Sequence, residues 1–168
     1  MRTHENGKVT GAKGIVRDIT GLIVADQQMR LWTKALESAA NGVVITDKDG
    51  IIVWTNVALS SLTGYSTSEL LGKTTRILKS GKQDKSFYEN MWKTILSGKV
   101  WHGELMNRRK DGTLYPEEMT VTPVKNDSDE ITHFIAIKTD ISLRKKGEAQ
   151  RRGLEAMLFQ SEKLATVG

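Results

Sequence analysis

Two polar residues, Asn107 and Glu117, occupy strand-like sequence at positions where apolar residues are expected. Side chains alternate between the two faces of a strand. In "VWHGELMN", alternation places Asn107 on the apolar face with Trp101 and Leu105. In "TLYPEEMTVTPV", it places Glu117 on the apolar face with Tyr115. A turn at "KDG" joins the two segments as a hairpin, so both polar side chains are predicted to point at the same interior.

An inward-facing pair of this kind predicts a binding site for a planar ring. Leaving a buried amide or carboxylate unpaired costs about 1–3 kcal/mol, so Asn107 and Glu117 need partners. The amide offers a donor and an acceptor together, which matches a heterocycle with alternating donor and acceptor atoms. Trp92 and Trp101 would provide flat apolar walls. The candidate binding residues are Asn56, Trp92, Trp101, Leu105, Asn107 and Glu117.

The same residues also permit a purely structural interpretation. Asn107 and Glu117 would then lie at the margin of a sheet, satisfied by water or by backbone groups, and Trp92 and Trp101 would be ordinary core residues. Faces are hard to assign at the ends of strands, and spacing alone leaves both interpretations open.

The elements that must position these residues follow an α+β order. Two short β-rich runs surround Asp49-Gly50, which is a hairpin signature. Short helical pieces follow between residues 56 and 98, and three strands close the domain, separated by polar turns at 110–112 and 125–130. With 168 residues, 38% of them hydrophobic, the chain can build one domain with a core. The sequence therefore predicts a five-stranded antiparallel sheet with helices on one side.

Helical segments are predicted on both sides of this domain. Residues 22–40 carry apolar residues at helical spacing and stop before an Asn-Gly pair. The stretch after Ser142 is polar and helical with a weak coiled-coil spacing, and Gly147 and Gly153 interrupt it. The predicted boundaries are 1–20 for the tail of a preceding domain, 21–40 for a linker helix, 41–142 for the domain itself and 143–168 for a connector helix.

The first boundary rests on an internal repeat. Residues 7–20, "GKVTGAKGIVRDIT", align without gaps with residues 129–142, "DEITHFIAIKTDIS". Both copies are β-rich, end in Asp-Ile-Thr or Asp-Ile-Ser, and precede a helix-like stretch, which suggests a tandem array. The N-terminal copy is interpreted as the end of a preceding domain, and the chain as a fragment.

Composition and spacing exclude several classes of function. The chain has no cysteine, which excludes disulfides, thiolate metal sites and cysteinyl chemistry. Its net charge of +5 comes with basic clusters that lack interleaved aromatic residues, so no nucleic-acid partner is expected. No apolar run is long enough to span a membrane, and a cytoplasmic location is expected. Residues 56–98 contain no histidine to bind haem, and Glu117 and Glu118 point to opposite faces, so they cannot form an acid/base pair.

Three segments of the chain resemble the sequences of PAS domains with their C-terminal PAC extension. They are "GVVITDKDGIIVWTN", "LTGYSTSELLGK" and "NRRKDGTLYPEE". The resemblance covers about residues 38–142, and residues 4–20 resemble the tail of a second, preceding PAS domain. It implies a sensory module with the PAS fold, in which a five-stranded antiparallel sheet and short helices enclose a ligand cavity. The closing "DIS" resembles the Asp-Ile-Thr junction between PAS sheets and signalling helices. This makes Asp140, Ile141 and Ser142 the candidate signalling hinge.

Within the family, residues 91–124 are most similar to flavin-binding PAS domains of redox sensors such as the nitrogen-fixation regulators. There an Asn matching Asn107 and a Trp matching Trp92 lie beside the flavin, which makes FAD the candidate cofactor. Photoactive flavin members share this Asn, but their adduct-forming Cys has no counterpart in "KTTRILK", and Glu117 replaces their second amide. The resemblance thus implies redox sensing without a covalent photoadduct. A ligand-free PAS module for dimerisation and relay is the alternative.

The final segment, "FQSEKLATVG", resembles the start of the dimerisation helix of bacterial sensor histidine kinases. This implies the input domain of a two-component sensor kinase, with the phospho-accepting His and the kinase domains beyond this chain. It also implies a homodimer formed through the flanking helices. No His follows His133, so no catalytic residue is assigned within the chain.

Overall fold

The computed structural model describes residues 19–167. The chain divides into two compact units, Met1–Thr33 and Lys34–Gly168. The N-terminal copy of the repeat and the predicted domain tail at 1–20 lie almost wholly outside the described residues, so both stay predictions. Within the described part of the chain, no helix combines the length and apolar character needed to cross a membrane.

The first helix, α1, spans Thr20–Glu37 and so ends earlier than the predicted residue 40. The side-chain amide of Asn56 donates to the carbonyl oxygens of both Leu36 and Asn41, each at 3.0 Å. These two bonds hold the chain after Glu37 in a path that leads out of the helix and into the sheet.

Five strands form one antiparallel sheet, as the sequence predicts. They are β1 (Gly42–Asp47), β2 (Ile52–Thr55), β3 (Trp101–Arg108), β4 (Leu114–Lys125) and β5 (Ile131–Asp140). Their order in the sheet is β2-β1-β5-β4-β3, so the β3–β4 hairpin adds to β5, and β5 pairs with β1. Gly50 has a φ of 80° in the turn between β1 and β2, a left-handed conformation that glycine adopts without steric cost.

Short helices connect β2 to β3. They are α2 (Val57–Thr63), α3 (Thr67–Leu70), a 3-10 helix (Thr75–Leu78) and α4 (Lys85–Leu96). Asn56 caps α2 by accepting from the backbone N–H of Leu59, and Gly64 ends that helix in the left-handed region. Ser66 and Glu69 form a capping box at the start of α3.

The last helix, α5 (Ser142–Ala165), follows β5 at once. Gly147 and Gly153 lie inside it, so the predicted interruptions do not occur. A glycine costs a helix about 1 kcal/mol relative to alanine, and the many Leu, Glu, Lys, Arg and Gln residues of α5 favour the helix enough to continue through both.

The helices between β2 and β3 share one core with the inner face of the sheet. Helical members include Leu59, Leu70 and Ile95, and strand members include Val44, Leu105, Met119, Val121 and Phe134. This confirms the predicted α+β architecture of a five-stranded antiparallel sheet with short helices on one face.

Candidate functional site

A cavity of about 720 Å³ lies between the inner face of the sheet and the helical side of the domain. This volume falls within the range of pockets that hold small molecules and cofactors. The sheet wall of the cavity includes Leu105, Asn107, Met119, Val121, Phe134 and Lys138. The helical wall is formed chiefly by α4, through Tyr88, Met91, Trp92 and Ile95. The cavity therefore combines an apolar interior with a few inward polar groups.

The polar groups of the sheet wall centre on the carboxylate of Glu117, whose side chain is 0% exposed. Its Oε1 accepts from Lys138 Nζ at 2.6 Å and from Asn107 Nδ2 at 3.1 Å. Its Oε2 accepts from the hydroxyl of Tyr115 at 2.8 Å. Three strands supply this buried cluster: β3 gives Asn107, β4 gives Tyr115 and Glu117, and β5 gives Lys138.

Strand register brings the four side chains together. Asn107 pairs with Tyr115, and Leu105 pairs with Glu117, in the β3–β4 ladder. Residues that alternate on one face point to the same side, so Glu117, Tyr115 and Asn107 share the inner face, as predicted. A buried carboxylate is tolerable only when it is paired and hydrogen-bonded, and the buried cluster meets both conditions.

The pKa of Tyr115 is raised, first because its phenol is buried and second because the carboxylate of Glu117 lies beside it. Both causes penalise a phenolate. Tyr115 therefore stays protonated and keeps donating to Glu117.

The predicted binding residues fall into two groups. Asn107, Trp92 and Leu105 line the cavity. Glu117 lies behind Asn107 and Lys138 and is bonded to both, but it is not one of the residues that form the cavity wall. Trp92 packs edge-on against Phe134, with ring centroids 5.8 Å apart, and so closes one side of the cavity.

Trp101 and Asn56 do not reach the cavity. Trp101 lies at the start of β3, where its ring packs edge-on against Phe87 with centroids 5.4 Å apart. Asn56 uses its oxygen to accept from Val43 and Leu59 and its nitrogen to donate to backbone carbonyls. The wall role of Trp101 was predicted from its strand face, and alternation gives that face but not the position of the residue along the sheet. The side chain of Asn56 serves the backbone.

Lys138 and Tyr88 are among the cavity residues that the sequence argument did not identify. Lys138 alternates with the buried residues Phe134 and Ala136 along β5, so the period of two was the signal for it. Tyr88 lies three, four and seven residues before Met91, Trp92 and Ile95 in α4, so helical spacing was the signal for it. Its ring lies under the ammonium group of Lys79, 4.1 Å from the ring centroid.

Basic side chains lie along the edge of the cavity. Arg76, Lys79 and Lys85 are among its lining residues, together with the acidic Asp49 and Glu89. Lys85 pairs with Glu89 at 3.2 Å, whereas Arg76 has no ion pair within the described residues. A net positive edge of this kind attracts an anionic group.

The predicted hinge lies where β5 becomes α5. Asp140 Oδ1 accepts from the backbone N–H and from the hydroxyl of Ser142, at 2.8 and 2.5 Å. Its Oδ2 accepts from Arg109 at 2.6 Å. Partial burial acts to raise the pKa of this carboxyl, but the bonds from Ser142 and Arg109 together hold it below its usual range. Ile141 between them is buried, which fixes the junction against the domain.

A series of contacting side chains connects this junction to the cavity wall. Arg109 donates to Asp140, and its guanidinium lies over the ring of Tyr115, 4.1 Å from the centroid. Tyr115 donates to Glu117, which accepts from Asn107 of the cavity wall. The cavity and the start of α5 are therefore joined through contacting residues.

The protein is thus an α+β domain in which an antiparallel sheet and short helices enclose an interior cavity. The family model for the PAS fold matches residues 30–141, which is more than half of the chain. The chain belongs to the PAS family. This confirms the fold that the sequence phrases predict.

Two relatives and one solved structure extend this finding. A nitrogen fixation regulatory protein of Klebsiella oxytoca is 35% identical over 120 residues, which are 71% of this chain and 24% of that protein. A blue-light photoreceptor of Listeria monocytogenes serovar 1/2a is 31% identical over 147 residues, 86% of this chain and 56% of that protein. A light-oxygen-voltage domain from work with a flavin analogue has a TM-score of 0.62 at 25% identity, covering 76% of this chain and 96% of that one. This chain thus spans only part of the length of these two relatives.

Proposed function

We propose that this PAS domain is a sensory input module whose cavity binds a flavin, FAD or FMN, and that the sheet passes the state of the flavin to α5. One observation carries the proposal. The cavity places an inward amide, Asn107, and an inward cation, Lys138, opposite the aromatic wall of Trp92. A light-oxygen-voltage domain of similar fold from work with a flavin analogue supports the same assignment.

The residues present fit a flavin. The ring system is planar and largely apolar, which suits Trp92 and Met91, and its polar edge carries acceptors that suit the donors of Lys138 and Asn107. Its phosphate carries the negative charge that Arg76 and Lys79 attract at the cavity edge. We assign Asn107, Trp92, Leu105 and Lys138 as flavin-binding residues, with Glu117 holding Asn107 and Lys138 in place.

A bound flavin would supply reversible electron transfer. The chain has no cysteine, so a cysteinyl adduct cannot form, and we infer that the redox state of the flavin is the signal. Reduction changes the charge and protonation of a flavin ring. Lys138 and Asn107 would respond to that change because both lie on the cavity wall and both hydrogen-bond Glu117.

The test is the absorption spectrum of the purified protein, followed by denaturation and identification of the released chromophore. We expect a yellow protein that releases FAD or FMN, and Asn107→Ala should lose most of it. A wild-type protein that stays colourless after refolding with both flavins would refute the flavin assignment.

We further propose that Asp140 couples the cavity to α5. It is bonded to Arg109 on one side and to Ser142 at the start of α5 on the other. Hydrogen exchange of the first turns of α5 should differ between oxidised and reduced protein, and Asp140→Ala should abolish the difference. If the difference survives in Asp140→Ala, the hinge is elsewhere.

We propose that this chain is the sensor part of a cytoplasmic two-component histidine kinase, because "FQSEKLATVG" resembles kinase dimerisation helices. We also propose a homodimer through the flanking helices. Exposed apolar residues on α5 support it: Leu154, Met157, Leu158, Phe159 and Leu164. Sedimentation should give a dimer, and substitution of Leu154 and Met157 by Glu should give a monomer; a wild-type monomer at micromolar concentration would contradict it.

A ligand-free relay module is the second candidate. It is favoured by the buried cluster itself, in which Glu117 accepts from Asn107, Tyr115 and Lys138 and so satisfies these groups without a ligand. This candidate predicts that added FMN or FAD leaves the melting temperature unchanged.

A further inference from the structure

One polar atom of the cavity wall lacks the partner that a buried group requires. The hydroxyl oxygen of Tyr88 is buried and has no hydrogen-bond partner among residues 19–167. Tyr88 lies on α4 and lines the cavity. The hydroxyl of Thr55 is also buried and unpaired within the described residues, but Thr55 does not line the cavity, so it gives no information on a ligand.

A phenol at this place is costly unless something pairs with it. Burying a hydroxyl without a hydrogen bond destabilises a protein, and phenylalanine would fill the same space without that cost. The ammonium of Lys79 lies over the Tyr88 ring, which accounts for the aromatic ring but not for the hydroxyl. The hydroxyl therefore requires a partner that the described residues do not supply.

The protonation state of Tyr88 sets the chemistry of that partner. Burial, and secondly the negative charge of Glu117, raise the pKa of the phenol, so it is neutral at physiological pH. A neutral phenol can donate its O–H to an acceptor atom or accept from a donor. The ammonium of Lys138, on the sheet wall, can only donate, so an acceptor atom of a ligand is the partner that suits both groups.

We propose that Tyr88 is a ligand-contacting residue of the cavity, whose hydroxyl donates a hydrogen bond to an acceptor atom of the bound ring. The ligand class is a planar heterocycle or quinoid ring with carbonyl or ring-nitrogen acceptors, and donors reach it from both α4 and β5. This inference rests on the proposed function in taking flavin as the first ligand to test. It adds a specificity residue on the helical side, opposite Asn107.

The experiment compares Tyr88→Phe with Tyr65→Phe as the matched control. Tyr65 also packs against the core, but it does not line the cavity. The affinity for FMN and for FAD is measured by fluorescence titration, and the melting temperature is measured on flavin-free protein. We expect Tyr88→Phe to weaken flavin binding about tenfold and to raise the melting temperature of the flavin-free protein, because the unpaired hydroxyl is gone. Tyr65→Phe should change neither.

A ligand contact predicts that Tyr88→Phe lowers the affinity for flavin but raises the melting temperature of the flavin-free protein. A structural contact predicts that it lowers the melting temperature. If Tyr88→Phe binds flavin as tightly as wild type, or if it lowers the melting temperature of the flavin-free protein, the inference is overturned. A structural hydroxyl with a protein partner would give the second result.

A separate probe pair keeps this inference independent of the flavin assignment. If wild-type protein binds neither FMN nor FAD, the proposed function fails, and Tyr88 is then tested with menadione and 2-methylnaphthalene, which share a ring system but differ in carbonyl acceptors. The inference expects menadione to raise the melting temperature more than 2-methylnaphthalene, and Tyr88→Phe to remove the difference. Equal shifts in wild type, or an undiminished difference in Tyr88→Phe, would refute it.

Discussion

The two faces of the sheet carry the same kinds of ion pair in opposite environments. Glu117 and Glu118 are neighbours in β4, yet Glu117 is completely buried whereas the side chain of Glu118 is 31% exposed. Glu117 pairs with Lys138 at 2.6 Å on the inner face. Glu118 pairs with Arg144 of α5 at 3.1 Å on the outer face. A single step along the strand separates a buried pair beside the cavity from an exposed pair that contacts α5.

The outer pairs form a small network at the start of α5. Arg144 contacts Glu104 at 2.7 Å as well as Glu118, and Lys145 contacts Glu104 at 2.5 Å. Exposed ion pairs contribute little free energy and are screened by salt, whereas the loss of one partner from a buried pair is strongly destabilising. The inner cluster therefore depends on each of its members, whereas the ion pairs of the outer network add little to the stability of the contact with α5.

The largest effect is expected from Lys138→Met, which leaves the buried carboxylate of Glu117 without its cation. The free energy of unfolding should fall by about 3–5 kcal/mol, measured by urea unfolding. The double variant Glu117→Gln with Lys138→Met removes both charges and should recover most of this loss. Equal losses in the single and double variants would mean that the pair is not coupled.

Tyr115→Phe should have the next largest effect. It removes the 2.8 Å bond from the Tyr115 hydroxyl to Glu117. Because the acceptor is charged, the free energy of unfolding should fall by about 1.5–3 kcal/mol. Tyr65→Phe, outside the buried cluster, should change it by less than about 0.5 kcal/mol. Similar losses in the two variants would show that Glu117 is satisfied without Tyr115.

Arg144→Ala tests the outer face. It removes the contacts to Glu104 and Glu118, and the free energy of unfolding should fall by less than about 1 kcal/mol at low salt. In about 1 M salt the difference from wild type should vanish, whereas the loss in Lys138→Met should persist. A salt-insensitive loss in Arg144→Ala would break the contrast between the two faces.

The smallest effect concerns acid titration on the outer face. The hydrogen bond from Lys145, opposed by desolvation and helped by the charges of Lys145 and Arg144, lowers the pKa of Glu104. Its contribution to stability is therefore complete above the ordinary pKa of a glutamate and is lost as the pH falls through the lower pKa of the folded state. Carboxyl NMR titration should show this lowered pKa, and Lys145→Met should raise it; no change in Lys145→Met would contradict the assignment of the cause.

Much of this contrast could be predicted from the sequence. Alternation along "VWHGELMN" and "TLYPEEMTVTPV" places Asn107 and Glu117 on the inner face, and the structure confirms both. The turn residues, the capping box and the five strands are equally local signals, because each depends on residues close together in the chain.

The rest depends on register across strands. Lys138 pairs with Met119 across the β4–β5 ladder and reaches Glu117 diagonally, two residues along β4. Nothing near Lys138 in the chain shows that a carboxylate lies within its reach. A lysine in a strand normally indicates a solvent-facing position, and this expectation conflicts with the inward position that alternation along β5 gives Lys138. For Trp101, alternation predicts that the side chain faces inward, but it does not predict how far the residue lies from the cavity.

The claim that a ligand binds against the inner face of the sheet is tested most directly by an NMR titration with flavin. The titration follows side chains on both faces of the sheet. We expect the chemical shifts of the Asn107 side-chain amide and the Lys138 ammonium group to change as flavin is added. The signal of the Glu104 carboxyl on the outer face should change less. The Asn107 and Lys138 signals should stay unshifted in the presence of 2-methylnaphthalene, which lacks a polar edge. Shifts confined to the outer face, or unshifted Asn107 and Lys138 signals in flavin-saturated protein, would contradict a ligand bound against the inner wall.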